Sequence, residues 1–401
     1  MQNAIQVGEQ HTITIDDVAF GGDGVGRIGG RAVFVPFTME GENALVEIVQ
    51  VSARFARARV VHIISPSSLR IAPECPWYGV CAGCQYQHMA YDEQLRAKEK
   101  QVRALFQRIG GMADIPLESM VPSPRPYGYR TKITLHGPGQ PAYIGRDHTS
   151  RVEIDTCPIA RDELNQALRR WKEAHPDGLA DQEDLHLRMD AEGQVWTPQE
   201  AEGQWVSQQV LGRTFFMPLS SFFQVNPEVA ERMASAVRQM VWESGCAGLI
   251  DAYCGVGVFG LLCAERLKII YGVESDARAV QAGKRNARAL AVRNIRFVTD
   301  RVEKGLGRVL SRVSTDDTLC LLDPPRSGCP PEVLDGLSSK RVKHILYISC
   351  APDRLARDAK RLVAGGYELV RVAPFDMFPQ TAHIETLGLF SLRDRSAIRT
   401  A

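Results

Sequence analysis

Between about residues 220 and 392 the chain alternates short apolar runs with amphipathic stretches, and no other feature limits its fold as tightly. A helical pattern at 227–243 leads into GLIDAYCGVGVFGLLCAERL, an apolar run that enters a glycine-rich turn and a helix. KIIYGVES, a helix over 276–291, IRFVTD, TLCLLDPP, HILYISC, a helix over 353–364 and ELVRVAPFDMF follow. Strands that alternate with helices predict an α/β, Rossmann-like domain with a mainly parallel, doubly wound sheet. Ligands of such sheets bind at the carboxyl ends of the strands, so residues placed there carry most of the functional argument.

The chain has 401 residues, too many for one ordinary domain. HTITIDDVAF, RAVFVPFTM and NALVEIVQVSARFARARVVHII read as strands divided by the glycine-rich GGDGVGRIGG, which predicts a small OB-like β-barrel in residues 1–64. Residues 65–205 read as a central α+β domain, with strands near 128–136, 141–146 and 185–196 and helices near 91–109 and 161–174. Residues 206–401 form the α/β domain. Helix 91–109 sets Leu95, Val102, Leu105, Phe106 and Ile109 on one stripe. Arg96, Lys98, Lys100, Arg103 and Arg108 lie on its other face, as a solvated surface or a contact for RNA. The chain shows no long apolar stretch of about 18 residues and no leader-like N-terminus, so the expectation is a cytoplasmic protein without membrane attachment. In that compartment its ten cysteines stay reduced, and the grouping of Cys75, Cys81 and Cys84 points to metal binding or redox chemistry.

The turn Gly255-Val-Gly257-Val-Phe-Gly260 follows a strand and opens a helix, and Glu274 ends the next strand. This combination suits a nicotinamide dinucleotide as well as any other nucleotide-like cofactor. The sequence Asp323-Pro324-Pro325-Arg326 narrows the choice. Paired prolines fix a rigid turn at the edge where ligands bind, an arrangement used by methyltransferases that act on bases. Cys350 ends the following strand, just before a helix, where the helix dipole and Arg326 would favour the thiolate. A nucleophilic Cys suits a carbon acceptor such as uracil C5. Addition of sulfur to C6 activates C5, and a general base then removes the C5 proton. His383 and Glu385, two apart on a strand, would share a face, and either could be that base.

These residues resemble the RNA uracil-C5 methyltransferase family, which includes bacterial ribosomal and transfer RNA enzymes. The resemblance rests on Phe-Phe-Gln224-Val-Asn, Asp251-x-Tyr253-Cys-Gly-x-Gly, Asp-Pro-Pro-Arg, Ser-Cys350-x-Pro and His-x-Glu385-Thr-Leu, in that order. It implies a class I methyltransferase domain, S-adenosylmethionine as cofactor, Cys350 as nucleophile and Glu385 as base. It also implies cofactor contacts from Gln224, Tyr253, Glu274, Asp300 and Asp323, and a flipped uracil with Phe222, Phe223 and Tyr253 as pocket candidates. Two positions depart from the pattern: the strand before Asp300 ends in Thr-Asp-Arg, and Ala351 stands where the family has Asn.

The N-terminal barrel resembles the TRAM domain through Gly22-Asp-Gly24-x-Gly26-Arg27 and Val-Phe-Val-Pro. RNA contacts are expected from Arg27, Arg31 and Phe20, and Phe34 is expected in the barrel core. Cys75, Cys81, Cys84 and the distant Cys157 resemble the family's 4Fe-4S site, with tetrahedral zinc as the physical alternative. Four cysteines close such a site, so its expected role is structural. Tyr127-Gly-Tyr129-Arg130-x-Lys132 resembles an RNA-contacting strand of the family. The expected partner is RNA rather than DNA, with 23S ribosomal RNA first and transfer RNA second, bound by a monomer. A methyltransferase for exocyclic amines and a non-catalytic RNA-binding iron–sulfur sensor are the rival readings. Arg326, where amine methyltransferases place an aromatic, and Cys350 argue against the first, and an intact set of Gln224, Asp323, Cys350 and Glu385 is surplus to the second.

Overall fold

The computed structural model describes residues 5–197 and 205–393. They divide into two compact units. The first takes the chain to Gln101, then Arg125–His186 and Phe378–His383, and the second takes Val102–Pro124, Leu187–Met377 and the chain from Ile384.

In the first unit, β1 (Gln10–Val18), β2 (Gly24–Ile28), β3 (Arg31–Val35), β4 (Asn43–Val51) and β5 (Phe55–Ser65) close into a barrel in the order β1-β2-β3-β5-β4. Strand alternation sends Ile13, Ile15, Val33, Val35, Val46 and Ile48 inward. A Cβ at Gly26 would lie 2.4 Å from the Thr14 carbonyl oxygen, so the barrel closes there only on glycine. Phe34 faces outward, because its neighbours Val33 and Val35 face in. It therefore leaves the core and packs edge-on against Phe55 at 5.7 Å, with Arg57 beside both rings. Phe20 is exposed, as expected.

Helix α1 (Tyr91–Leu105) ends in a π-turn at Phe106–Gly110, which rotates Ile109 off the stripe and into solvent. The face expected to be solvated is partly buried. Lys98 is fully buried and donates to the Phe378 carbonyl at 3.1 Å, while Gln94 and Gln101 are buried beside it. Lys100 stays at the surface, paired with Asp17 and Glu40. Next come β6 (Lys132–His136), β7 (Ala142–Ile144), β8 (Arg151–Glu153), α2 (Asp162–Ala174) and β9 (Asp184–Met189), whose last three residues belong to the second unit. Tyr129 is wholly buried and donates to the Pro379 carbonyl at 3.1 Å, so it presents no RNA-facing ring.

After β9 the second unit continues with β10 (Val195–Trp196) and the hairpin β11 (Trp205–Val210) and β12 (Arg213–Pro218). Then α3 (Pro227–Glu243), β13 (Gly248–Ala252), α4 (Val258–Cys263), β14 (Ile269–Glu274), α5 (Ala277–Ala289), β15 (Ile295–Thr299) and α6 (Val302–Leu310) follow. They continue with β16 (Thr318–Leu322), α7 (Pro331–Ser339), β17 (His344–Ser349), α8 (Pro352–Ala364), β18 (Tyr367–Phe375) and β19 (Glu385–Leu392). The seven-stranded sheet runs β15-β14-β13-β16-β17-β19-β18, parallel from β15 to β17, with β19 antiparallel to both neighbours. Every residue of β13 and β16 is buried, as expected of central strands covered on both faces. Strand order reverses between β13 and β16, the topological switch point where such sheets bind ligands. No helix among the described residues is long and apolar enough to cross a membrane.

Candidate active site

A cavity of about 250 Å³ opens at the switch point, lined by Gln224, Tyr253, Gly255, Glu274, Asp276 and Asp323 among others. Its floor is the turn after β13. Gly255 and Gly257 take φ of 53° and 84°, and Tyr253 takes 63°, a left-handed conformation unusual for an aromatic residue. Two carboxylates shape this turn from inside. Asp251, fully buried, accepts from Gly260 N–H at 2.9 Å, and burial pushes its carboxyl up to about 7. Glu274 accepts from Gly255 N–H at 3.0 Å and from Ser275 and Asp276 N–H at 2.6 and 2.8 Å. Gln224 Oε1 is buried and unpaired in the described structure. An orphaned acceptor on a cavity wall calls for a ligand donor. Asp300 is not among the lining residues. Its carboxylate meets Arg308 and accepts from Arg301 N–H at 2.8 Å.

Asn226 explains the end of the Phe-Phe-Gln-Val-Asn run. It is fully buried and caps α3 by accepting from Val229 N–H, and it donates to Ser123 Oγ at 3.1 Å and the Met377 carbonyl at 3.2 Å. Gln224, two residues earlier, is thereby held at the cavity. Phe223 lines the cavity, and Phe222 also lines it while 75% exposed.

The reactive groups lie one strand further on. Ser349 pairs with Thr386, so Cys350, the next residue, comes level with Glu385, the residue before Thr386. Asp323 follows Leu322, which pairs with Tyr347 of the same strand as Cys350. Tyr253, Glu274, Asp323, Cys350 and Glu385 thus share one sheet edge. Glu385 is buried, and that burial, with Asp323 adding to it and Arg326 opposing it, raises its carboxyl to about 8. Burial also raises the Cys350 thiol, to about 11. Glu385 and Asp323 push it the same way, and Arg326 pulls it back. The expected low-pKa thiolate is therefore not what these surroundings favour: burial and two carboxylates outweigh the arginine. His383 does not share a strand face with Glu385, because β19 begins at Glu385. It is exposed and its ring meets Phe378 edge-on at 5.7 Å.

The first unit holds a separate cavity of about 300 Å³ whose wall includes Cys75, Cys81, Cys84 and Cys157. All four are free thiols. Burial raises Cys75, Cys81 and Cys84, the last to about 12, and Cys157 pushes each of them further. The sulfurs therefore share one electrostatic environment. Among the described residues, no three His, Cys, Asp or Glu side chains converge closely enough to chelate a single metal ion.

Residues 205–393 match the family model for tRNA (Uracil-5-)-methyltransferase, and residues 5–61 match the TRAM domain. An uncharacterized RNA methyltransferase of Thermosynechococcus vestitus is 31% identical, over 96% of this chain and 99% of its own. Another, from Synechocystis, is 32% identical over 95% of each chain. The crystal structure of Pyrococcus abyssi tRNA (uracil-54, C5)-methyltransferase, in complex with S-adenosyl-L-homocysteine, superposes with a TM-score of 0.72 at 23% identity. It covers 94% of this chain and 100% of its own, and so shares the fold.

Proposed function

Because the chain belongs to the RNA (uracil-5-)methyltransferase family, we propose that it methylates C5 of a uracil in RNA, with S-adenosylmethionine as donor, Cys350 as covalent nucleophile and Glu385 as general base. The observation that carries this reading is the β17–β19 register, which sets Cys350 level with Glu385 beside Asp323. The cavity at the switch point fits the donor, since its wall combines acidic groups with the orphaned Gln224 oxygen. Gln224, Tyr253, Glu274 and Asp323 would hold it, with Asp300 acting from outside the lining. When bound, S-adenosylmethionine supplies the methyl group and a positive sulfonium.

Cys350 adds to C6 of the uracil, forming a C–S bond and shifting electron density to C5. Once C5 carries the methyl group, Glu385 takes the C5 proton. The C5–C6 double bond reforms and Cys350 leaves as thiolate. Arg326 is the protein cation that favours the thiolate at both ends of this cycle. The uracil must leave its stack to reach Cys350, with the exposed Phe222 ring available to it.

For the cysteines we infer a 4Fe-4S cluster held by Cys75, Cys81, Cys84 and Cys157. Four free thiols around one cavity suit such a cluster, with tetrahedral zinc as the physical alternative. Its role is to fold a segment with little core of its own. We assign three modules: residues 1–64 as the RNA-binding barrel, 65–205 as the cluster module and 206–401 as the catalytic module. In the barrel, Arg27 is exposed and Arg57 lies beside Phe34 and Phe55, a surface suited to stacked bases and phosphates. The favoured substrate is 23S ribosomal RNA, the alternative transfer RNA, and the enzyme works as a cytoplasmic monomer.

The test is nucleoside mass spectrometry on unmodified ribosomal and transfer RNA, each incubated with anaerobically purified protein and methyl-labelled donor. Labelled 5-methyluridine in one pool supports the reading and chooses the RNA. Full turnover by Cys350→Ala, or label on an amine or ribose, would remove the covalent mechanism. No reaction in either pool, with iron intact, would favour a binding or sensing role.

A further inference from the structure

Helix α8 buries an apolar face on which Leu355, Ala356, Ala359 and Leu362 are all 0% exposed, and Asp358 stands among them at 3%. Asp358 Oδ2 accepts from the Tyr347 hydroxyl at 2.7 Å and from Cys329 N–H at 3.0 Å. Asp358 Oδ1 accepts from Arg357 Nε at 2.8 Å, and the Arg357 guanidinium also donates to the Ser327 carbonyl at 3.1 Å. Between Ser327 and Cys329, Gly328 adopts φ of 80°, and a Cβ there would lie 2.6 Å from the Arg357 guanidinium and 2.7 Å from Asp358 Oδ2. Helix α8 thus grips, at close range, the three residues that directly follow Asp323-Pro-Pro-Arg326.

A buried carboxylate is a poor way to gain stability, because desolvation offsets most of its pairing energy. What it does provide is direction: a backbone N–H, a phenol and a guanidinium held at fixed angles around one group. The connected elements matter too. Tyr347 lies three residues before Cys350 on β17, and α8 begins two residues after Cys350. Arg326 is exposed and makes no hydrogen bond or ion pair among the described residues, so the restraint the fold puts on its charge comes through its backbone. That charge acts on both Cys350 and Glu385.

We propose that Asp358, with Tyr347 and Arg357, is a positioning residue for the methyl transfer: it locks the 327–329 turn to the nucleophile's own strand and helix, and so holds Arg326 against Cys350. The inference rests on the reading of Cys350 as nucleophile. The groups facing Cys350 are Glu385 from β19 and Asp323 and Arg326 from the turn after β16, and Asp358 acts through the last of these.

The test is the pH profile of Cys350 alkylation by iodoacetamide, read on its own peptide by mass spectrometry, together with the rate of covalent adduct formation with substrate RNA. Asp358→Ala, Tyr347→Phe and Arg326→Gln are compared with the parent enzyme. The expected result is an upward displacement of the Cys350 profile in Asp358→Ala, in the same direction as Arg326→Gln. Adduct formation at fixed pH would fall about tenfold if the profile moves from one pH to the next whole pH above it, with little change in KM for RNA. Tyr347→Phe, which removes one hydroxyl and keeps the ring, should move the profile less in the same direction, and it keeps the test decisive if Asp358→Ala does not fold. Parent-like profiles in Asp358→Ala and Tyr347→Phe, with that of Arg326→Gln displaced, would overturn the positioning role. An undisplaced profile in Arg326→Gln would overturn it as well, since there would be no charge to place. Failure of the nucleophile reading shows separately, as methylation by Cys350→Ala.

Discussion

As the proposed base, Glu385 should make the release of methylated RNA a pH-dependent step with a midpoint raised by its burial. Burial holds its carboxyl at about 8, well above the ordinary 4.5. A base works only when deprotonated, so Glu385 is competent in about a tenth of molecules at pH 7, about half at pH 8 and about nine-tenths at pH 9. Release from a preformed adduct should therefore rise about ninefold between pH 7 and pH 9 and then level off. Formation behaves differently. With the Cys350 thiol at about 11, the thiolate fraction keeps rising through this range without a plateau. The two steps separate in a pH jump: adduct is formed at one pH, mixed to another, and followed by its decay on denaturing gels and by tritium release from 5-tritiated uridine. Arg326→Gln should move the release midpoint upward, because Arg326 is what holds the Glu385 carboxyl down. A flat release profile, or a midpoint near 4 to 5, would refute the claim that this buried carboxyl is the base.

The same carboxyl should cost stability. Its folded-state pKa lies above the unfolded value, so the folded protein holds a proton that the unfolded chain gives up, and stability falls as pH rises from about 4.5 through about 8. Glu385→Gln should then stabilise the protein in thermal unfolding at pH 9, by on the order of a few kcal/mol, and change little at pH 5; an equal effect at both would contradict this. Asn226→Ala removes the α3 cap and leaves Ser123 and the Met377 carbonyl without their buried donor. A loss of roughly 2–4 kcal/mol in urea unfolding is expected, and one below about 0.5 kcal/mol would show that the capping geometry is not realised.

Local chemistry makes much of this legible in the sequence. Strand alternation and glycine spacing foretell the barrel, and β–α alternation foretells the sheet, because both patterns record which side of an element meets the core. Asp323 and Cys350 can be placed at the sheet edge for the same reason: each directly follows an apolar run. Gln224 and Tyr253 cannot be singled out without the family resemblance, since Gln224 lies in a loop between β12 and α3 and Tyr253 in a turn with positive φ. The protonation of Cys350 is misleading in the sequence, because the carboxylates that oppose Arg326 meet it only through tertiary pairing. Lys98 belongs on a solvated face by its charge, yet its ammonium finds a buried carbonyl. Asp358 leaves a trace that can be followed. It lies three residues after Leu355 and four before Leu362, a polar residue on an apolar helical stripe.

Strand β19 follows β18 in the chain but is inserted between β17 and β18 in the sheet. As the polypeptide emerges from the ribosome, Cys350 and β18 therefore appear before the strand that joins them. Until β19 enters, β18 has no partner in the seven-stranded sheet and the edge that carries Cys350 lacks Glu385, the proposed base. Strand insertion and delivery of Glu385 are a single event. On the proposed mechanism, a nascent chain would gain the group that discharges the RNA adduct only when its sheet becomes continuous, so completion of this non-local pairing would set when the enzyme becomes competent.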